Sequence, residues 1–371
     1  MNALSELQEH KQSIWLDYIR RDLIVDGGLK QLVVKDGVSG VTSNPTIFEK
    51  AIDSGGQYDG SLRELFARHP KAEPTEVYDE LVIEDVRNAA DVLLPVYQAS
   101  GGTDGFVSIE PPPQLTGDTE RTIREARRLH RAVSRPNVMI KVVATEDGVA
   151  AVEPLIAEGV NVNITLIFSL RHYEAVAAAY IRGLQKCSSP DRVASVASFF
   201  VSRVDTQVDK ALDATGSPRA RELRGKIAIA NAKAMYQRFQ EIFRSEEFSA
   251  LRYRGARIQR PLWASTGTKD PSYRDVLYVE ELIGPDTVNT LPPGTLDAFR
   301  DHGQVRGDTV LQDWPDAEQD LRTLSGLGID LDAIADALQA DGVKSFASAY
   351  SRVLSAIAAN RQELSRTRSR A

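Results

Sequence analysis

The sequence predicts an α/β fold, namely a single (β/α)₈ TIM barrel with extra helices and insertions. Short apolar runs of about 4–7 residues, the length of a buried parallel strand, alternate with longer amphipathic segments. Eight such runs occur, which favours closure into a barrel over an open sheet. No G-x-G-x-x-G motif follows the first run and no G-x-x-x-x-G-K-[ST] motif occurs, so the pattern is not typical of a dinucleotide-binding or P-loop fold.

Each predicted strand is rich in Val, Ile, Phe or Thr. In chain order the predicted strands are Ser13–Tyr18, Gly37–Thr42, Gly105–Glu110, Val138–Val143, Val160–Thr165, Ala194–Phe200, Pro261–Ser265 and Thr287–Thr290. The segments between them place apolar residues at helical spacing or open with a capping residue. The predicted helices are Asp79–Tyr97, Asp118–Ala132, Ser169–Leu184, Gly225–Phe243, Tyr273–Ile283 and Asp332–Val353, the last interrupted near Asp341 and Gly342.

A chain of 371 residues has room for two average domains or for one barrel. No repeat, low-complexity tract or Pro/Ser-rich linker divides it, so we expect one domain over residues 1–371. A hydrophobic fraction of 42% and a charged fraction of 26% are ordinary for a globular protein. The net charge of −7 argues against a broad nucleic-acid surface.

No apolar run approaches the ~18–20 residues that span a bilayer. The polar stretch from Met1 to Lys11 is unlike a secretory signal. We therefore expect a cytoplasmic protein without a membrane partner. We also expect a monomer or homodimer that does not bind nucleic acid. The single cysteine, Cys187, and five scattered histidines lack metal-ligand spacing, so we expect no metal. We also expect no cofactor.

Lys141 is conspicuous because lysine is scarce: only 12 of the 45 basic residues are lysines. It lies inside the apolar run Val138–Ala144, and none of the other eleven lysines has so apolar a surrounding. Burial disfavours the charged amine and makes the neutral, nucleophilic form accessible, which a Schiff-base lysine requires. The alternative is a structural lysine paired with a buried carboxylate.

Two carboxylates are embedded in, or end, predicted strands. Glu110 ends its strand because three prolines follow it and cannot continue a ladder. Asp17 lies among apolar residues of the first strand. Two acids and one amine on the same barrel rim would make an acid/base set around a nucleophile. The alternative for each acid is a strand-edge or capping role.

Amides and hydroxyls also collect at strand ends. Asn44 follows the second strand, while Asn161, Asn163 and Thr165 alternate along the fifth strand and so share one face. Such amides can bind the hydroxyl groups of a polyol. The alternative is that they bond buried backbone groups.

Two segments are typical of anion sites because hydroxyls, glycine N–H groups and a cation follow a strand. One runs from Ser198 to Arg203, and the other contains Ser265 and Lys269. The alternative for Arg203 is an ion pair with Asp205 or Asp209 on a solvated face.

Three of these motifs, in this order, resemble the transaldolase family over most of the chain, in its longer bacterial branch. The matching motifs are residues 36–48 (DGVSGVTSNPTIF), 137–145 (NVMIKVVAT) and 159–169 (GVNVNITLIFS). Insertions near 51–100 and 291–330 account for the extra length. Within the second insertion we expect Trp314 to be the main apolar anchor.

The resemblance implies a transferase of the non-oxidative pentose phosphate pathway that acts on sugar phosphates. It would move a dihydroxyacetone unit from sedoheptulose 7-phosphate to glyceraldehyde 3-phosphate, giving erythrose 4-phosphate and fructose 6-phosphate. The implied roles are a Schiff base for Lys141, acid/base transfer for Asp17, and a water-mediated proton relay for Glu110 and Thr165. Asn44, Asn163 and Ser198 would bind the three-carbon unit, and Arg203, Ser265 and Lys269 the phosphate.

The sequence departs from the family at two places. Shorter transaldolases have an arginine soon after the serine of the anion loop, and Lys269 is assigned that role here. The stretch from Glu110 to Pro113 is also richer in proline than is usual. Three alternatives stay open: an aldolase that releases dihydroxyacetone, a glycosidase using Asp17 and Glu110, and a catalytically inactive barrel that senses sugar phosphates.

Overall fold

The computed structural model describes residues 2–53 and 56–368, and within them it forms a closed parallel barrel. The strands are β1 (Gln12–Leu16), β2 (Val38–Val41), β3 (Phe106–Ile109), β4 (Val138–Val143), β5 (Val162–Ile167), β6 (Ser195–Phe200), β7 (Gln259–Ala264) and β8 (Thr287–Leu291). Neighbours in sequence are neighbours in the barrel, and β8 closes it by pairing with β1. The predicted fold is therefore confirmed, and all eight predicted strands lie where strands form.

Helices surround the barrel, as parallel strands require a crossover between each pair. They are α1 (Ala3–Glu6), α2 (Arg21–Val25), α3 (Gly28–Asp36), α4 (Pro45–Asp53), α5 (Asp59–Arg68), α6 (Pro74–Ala99), α7 (Thr119–Val133), α8 (Glu146–Ala157), α9 (Leu170–Lys186), α10 (Ser202–Thr215), α11 (Pro218–Arg221), α12 (Ile227–Arg244), α13 (Glu246–Tyr253), α14 (Leu277–Glu281), α15 (Pro293–His302), α16 (Trp314–Gly326) and α17 (Leu331–Arg368). Short 3₁₀ turns occur at Pro113–Leu115, Pro190–Arg192 and Thr309–Leu311.

The strands are buried on both faces, which explains their nearly continuous apolar runs. One face packs against the helices, where Phe199 and Trp263 meet edge to face at 6.3 Å between ring centroids. The polar exceptions, such as Lys141 in β4 and Asn163 in β5, are paired in register. The fold therefore brings these polar side chains of the barrel next to one another.

Two predicted helices were wrong in their extent. The helix predicted over Tyr273–Ile283 is only Leu277–Glu281, because the Asp270 side chain accepts from both the backbone N–H and the hydroxyl of Ser272 and makes a turn there. The interruption predicted near Gly342 does not occur, since α17 runs unbroken from Leu331 to Arg368.

Gly342 is explained by close packing rather than by a helix break. A Cβ at this position would lie 2.8 Å from Leu166 Cδ2 of β5, so glycine lets α17 approach the barrel. In the insertion before α17, Trp314 is only partly buried, while Ala317 and Leu324 are the buried residues of α16. The prediction that Trp314 is the main apolar anchor was therefore wrong.

The fifth strand carries an irregularity at its carboxyl end. The register between β5 and β6 shifts between Ile164 and Ile167, and Leu166 has a φ of 59°. The left-handed conformation costs a residue other than glycine about 1–2 kcal/mol. The bulge lies next to Thr165, so it changes the direction of the backbone beside a predicted site residue.

The long helix α17 packs on α4, α6 and α10 and contacts β5, so it lies across the carboxyl end of the barrel. In the described part of the chain no helix is long and apolar enough to cross a membrane.

Candidate active site

A pocket of about 400 Å³ opens at the carboxyl ends of the strands. This is the end at which barrel enzymes assemble their sites from strand termini and loops. Eight of the ten residues predicted from the sequence line it: Asp17, Asn44, Lys141, Thr165, Ser198, Arg203, Ser265 and Lys269. The other two, Glu110 and Asn163, contact members of this set.

Lys141 reaches the pocket from the middle of β4, with 5% of its side chain exposed. Its ammonium group donates one hydrogen bond, 3.0 Å long, to the Ser43 carbonyl oxygen. The Oε2 atom of Glu110 lies 3.8 Å from Nζ, within ion-pair distance but beyond a direct hydrogen bond. The amine is therefore buried beside one acid but makes no direct hydrogen bond to it.

Glu110 follows β3, and 7% of its side chain is exposed. Its Oε2 atom is buried and accepts no hydrogen bond from the described residues. Burial raises the pKa of Glu110 to about 7, with Lys141 opposing the rise and Asp17 adding to it. This carboxyl group can therefore gain or lose a proton near neutral pH.

Asp17 follows β1 and is held by a chain of hydroxyl groups. The Thr42 hydroxyl donates to Asp17 Oδ1 at 2.7 Å and lies 2.6 Å from the Thr290 hydroxyl. Burial raises the pKa of Asp17, while Lys141 and the bond from Thr42 act against it. Asp17 is thus a second acid whose proton is held more firmly than in water, and its strand is separated from that of Glu110 only by β2.

Thr165 and Ser198 present hydroxyl groups from adjacent strands. Thr165 Oγ1 is buried and has no hydrogen-bond partner among the described residues. Ser198 donates to Asn163 Oδ1 at 2.6 Å, and Asn163 in turn donates to Ser108 Oγ at 3.0 Å. Asn163 therefore lies behind Ser198, while Thr165 is available to a ligand.

The remaining amides separate into two groups. Asn44 caps α4 by accepting from the Ile47 N–H at 3.1 Å, and it lines the pocket. Asn161 lies at the start of β5, where its amide bonds the carbonyls of Pro136 and Val138 and accepts from Ala194 N–H. For Asn161 the structural alternative is correct.

The cations of the pocket gather where α10 begins and where β7 ends. Arg203 is in the first turn of α10 and packs over the Phe200 ring at 5.5 Å. Ser265 has a φ of 56°, and its hydroxyl lies 3.1 Å from that of Ser202. Lys269 and Lys50 line the same side of the pocket, both exposed at its rim. Hydroxyls, a helix start and three cations suit a phosphate group.

The alternative for Arg203, an ion pair with Asp205 or Asp209, is not what the structure has. Asp205 accepts from Ala228 N–H and the Tyr278 hydroxyl, and Asp209 from Gly225 N–H and the Tyr273 hydroxyl. Desolvation lowers the pKa of Arg203, with Asp17 opposing the shift. Desolvation also lowers the pKa of Lys269, and Arg203 and Lys50 add to this effect. Lys269 is therefore repelled by the positive charges of Arg203 and Lys50.

Sequence reasoning missed several residues of the pocket, among them Thr42, Lys50, Thr290 and Phe346. Thr42 and Thr290 end predicted strands, so the search for polar strand ends could have found them. Lys50 lies on a helix with no distinguishing pattern. Phe346 comes from α17, far away in the sequence, and no local signal could place it.

A larger cleft, of about 820 Å³, lies at the opposite end of the barrel. None of the ten predicted residues lines it. Its arginines, Arg257 and Arg260, donate hydrogen bonds to the carbonyls of Gly101, Gly102 and Thr287. Their guanidinium groups therefore stabilise the fold. Within the described residues, no three His, Cys, Asp or Glu side chains are grouped so that they could hold a metal ion.

Comparison with known proteins agrees with this geometry. The profile of the transaldolase/fructose-6-phosphate aldolase family matches residues 14–357. A transaldolase of Frankia alni is 47% identical over 370 residues, covering 99% of this chain and 98% of its own. A transaldolase of Thiobacillus denitrificans is 48% identical over 361 residues (96% and 100%), and transaldolase 1 of Streptomyces coelicolor is 47% identical over 359 residues (96% and 94%). With the barrel, the buried lysine and its two acids in place, the chain belongs to the transaldolase/fructose-6-phosphate aldolase family.

Proposed function

We propose that this chain is a transaldolase, a transferase that works through a lysine Schiff base. It takes a dihydroxyacetone unit from sedoheptulose 7-phosphate and gives it to glyceraldehyde 3-phosphate. The products are erythrose 4-phosphate and fructose 6-phosphate. The single observation that carries the proposal is Lys141, buried in an apolar strand with one hydrogen bond and two acids of raised pKa nearby.

Lys141 is proposed to attack the C2 carbonyl of the ketose phosphate. The attack needs the neutral amine, so the ammonium proton must first leave. Glu110, 3.8 Å away and with a pKa raised to about 7, can receive it. Loss of water from the carbinolamine then gives the imine, which withdraws electrons from the C3–C4 bond and needs no cofactor to do so.

Asp17 is proposed to take the proton of the C4 hydroxyl as the C3–C4 bond breaks. The released aldehyde leaves, and the enamine of the three-carbon unit stays on Lys141. When the acceptor aldehyde arrives, Asp17 returns the proton to its oxygen as the new bond forms. The bond from Thr42 orients the Asp17 carboxylate for both transfers.

Glu110 and Thr165 are proposed to hold the water that enters and leaves during imine formation and hydrolysis. Both have a buried oxygen without a partner among the described residues. Glu110 lies 3.8 Å from the Lys141 amine, and Thr165 lies on β5, the strand paired with that of Lys141. A single water bonded to the two oxygens would use these unmade hydrogen bonds.

The substrate's two ends match the two polar regions of the pocket. Asn44, Ser198 and, behind it, Asn163 are proposed to bind the hydroxyls of the three-carbon unit. Arg203, Ser265 and Lys269 are proposed to bind the phosphate. The net charge of −7 repels anions, so this local group of cations has to supply the attraction.

The test compares transfer with release. Purified protein is given fructose 6-phosphate with and without erythrose 4-phosphate, and sedoheptulose 7-phosphate and free dihydroxyacetone are both measured. We expect rapid transfer and slow release, and neither with Lys141→Ala. Release as fast as transfer would make the protein an aldolase, and no cleavage at all would reject the proposal.

We also propose that residues 1–371 act as one domain, because the proposed site takes residues from Asp17 to Lys269 on successive strands of one barrel. The expected cytoplasmic location and the expected monomer or homodimer stay predictions.

A further inference from the structure

The carboxyl ends of β4 and β5 are joined by a side chain from the far end of the sequence. Gln339 of α17 donates from Nε2 to the Ala144 carbonyl and to the Leu166 carbonyl, at 3.0 Å each. Both partners are carbonyl oxygens, so only the NH₂ group of the amide can face them, and both of its hydrogens are used. One side chain thus bridges two strands that carry Lys141 and Thr165.

Both carbonyls belong to immediate neighbours of Thr165. Leu166 follows Thr165 in the chain, and the Ala144 N–H donates to the Thr165 carbonyl at 2.8 Å. Leu166 is the left-handed residue of the bulge in β5, where the register with β6 shifts. A bulge takes backbone groups out of the ladder, and Gln339 supplies a donor for one of them.

The helix that carries Gln339 is itself fixed against the barrel on the same face. One turn before Gln339, Asp336 accepts from His172 Nε2 at 2.9 Å. One turn after it, Gly342 permits the close approach to Leu166, and Phe346 then packs into the pocket wall. The spacing 336, 339, 342, 346 keeps these residues on one side of the helix.

We propose that Gln339 is a positioning residue, which fixes the β5 bulge and thereby the direction of the Thr165 hydroxyl in the pocket. The inference rests on the proposed function for its consequence in catalysis, though not for its geometry. Thr165 Oγ1 has no partner of its own among the described residues, so its direction is set by the backbone on either side. Gln339 holds the carbonyl of Leu166, which follows Thr165, and the carbonyl of Ala144, whose N–H bonds the Thr165 carbonyl.

The first test replaces Gln339 with methionine, which has similar length and no N–H group. We expect kcat for transfer to fall by about 10- to 100-fold, because a small misplacement of a catalytic group has effects of this size. KM should stay within about twofold, since Gln339 does not touch the substrate. Gln339→Lys, which restores a donor, should recover part of kcat.

The matched control is Lys344→Met on the same helix, where 80% of the lysine side chain is exposed. It should leave kcat and KM unchanged. An equal loss of kcat in this control would mean that any change in α17 lowers activity, and would overturn the specific role of Gln339. A kcat for Gln339→Met within about twofold of wild type would overturn it as well.

A double-mutant cycle shows whether Gln339 acts through Thr165. In a Thr165→Val background, the hydroxyl to be positioned is gone, so Gln339→Met should cost little more. Full additivity of the two losses in kcat would overturn the proposal. A purely structural role would give that additivity.

A measurement independent of activity separates this inference from the proposed function. Hydrogen exchange of the Ala144 amide, which bonds Thr165, should speed up in Gln339→Met and not in Lys344→Met. If wild type fails to transfer or cleave while this exchange changes as expected, the proposed function fails and the positioning stands. If wild type is active and the exchange is unchanged in Gln339→Met, the positioning fails alone.

Discussion

The two ends of the barrel hold charged side chains in opposite ways. At the amino-terminal end Arg260 donates to the Ser13 hydroxyl and the Thr287 carbonyl, at 2.6 Å each. Asp104, 3.8 Å from Arg260, accepts from the Ser13 hydroxyl, from Trp15 Nε1 and from Gly105 N–H. Arg260 and Asp104 thus each have several partners, although amide oxygens of Gln12 and Gln259 lack one.

At the carboxyl-terminal end the charged groups are less fully bonded. Lys141 makes one hydrogen bond, Glu110 has an unpartnered oxygen, and Arg203 has no carboxylate within ion-pair distance in the described part of the chain. Buried polar groups without partners cost free energy, which a bound ligand can recover. Arg260 and Asp104 at the amino-terminal end therefore stabilise the fold, whereas Lys141, Glu110 and Arg203 at the carboxyl-terminal end are available for substrate.

The sharpest way to test this contrast is Lys141→Met. Loss of the nucleophile should lower kcat by about 10⁴-fold or more, since no other group can form the imine. The protein should remain folded, because methionine fills a similar volume in an apolar strand. Steady-state kinetics and circular dichroism measure the two effects. Residual activity within a factor of about 100 would mean that another residue is the nucleophile.

Asp17→Asn should come next, with kcat lower by about 10³-fold. Imine formation should continue, because Lys141 is intact, while cleavage of the C3–C4 bond fails. Borohydride should therefore trap the intact six-carbon ketose on the variant and a three-carbon unit on wild type. Near-normal turnover would show that Asp17 is not the acid/base group.

Glu110→Gln should lower kcat by about 10²-fold and change its pH dependence. In wild type Glu110 must be ionised to accept the lysine proton, so kcat should rise with pH and level off above about 7, the raised pKa of this group. The glutamine variant should lack this step. A step near pH 7 that persists in the variant would assign it to another group.

Arg260→Met tests the opposite end of the barrel. It removes the hydrogen bonds to Ser13 and Thr287 and leaves Asp104 without its cation, so the free energy of unfolding should fall by about 2 kcal/mol. The kcat of the folded fraction should not change. Urea unfolding and kinetics below the transition measure both quantities. A loss of kcat without a loss of stability would contradict the contrast between the two ends.

Arg203→Gln should have the smallest effect, a rise of about 10-fold in KM for phosphorylated substrates with little change in kcat. Removing one cation weakens phosphate binding, while Lys269 and Lys50 remain. Lys50→Gln, at the pocket rim, should raise KM less. An unchanged KM for Arg203→Gln would move the phosphate site elsewhere in the molecule.

Many residues of the candidate site could be predicted from the sequence because they are polar residues in, or at the end of, apolar strands. A lysine in an apolar strand and an acid before three prolines are visible in a single segment, and β4 has the bounds that were predicted. What could not be predicted depends on tertiary contacts. The low helix propensity of Gly342 predicts a helix break, yet in the structure this glycine lets α17 pack closely against Leu166. Phe346 lines the pocket, and Gln339 bonds the carbonyls of Ala144 and Leu166, only because α17 folds back over the barrel.

The most direct test of the central claim is to trap the proposed imine. Borohydride is added to wild type with fructose 6-phosphate, and the peptides are mapped by mass spectrometry, with Lys141→Met as the control. We predict a three-carbon adduct on Lys141 alone and none in the control. No adduct on Lys141, or the same adduct on another lysine in both proteins, would contradict the account.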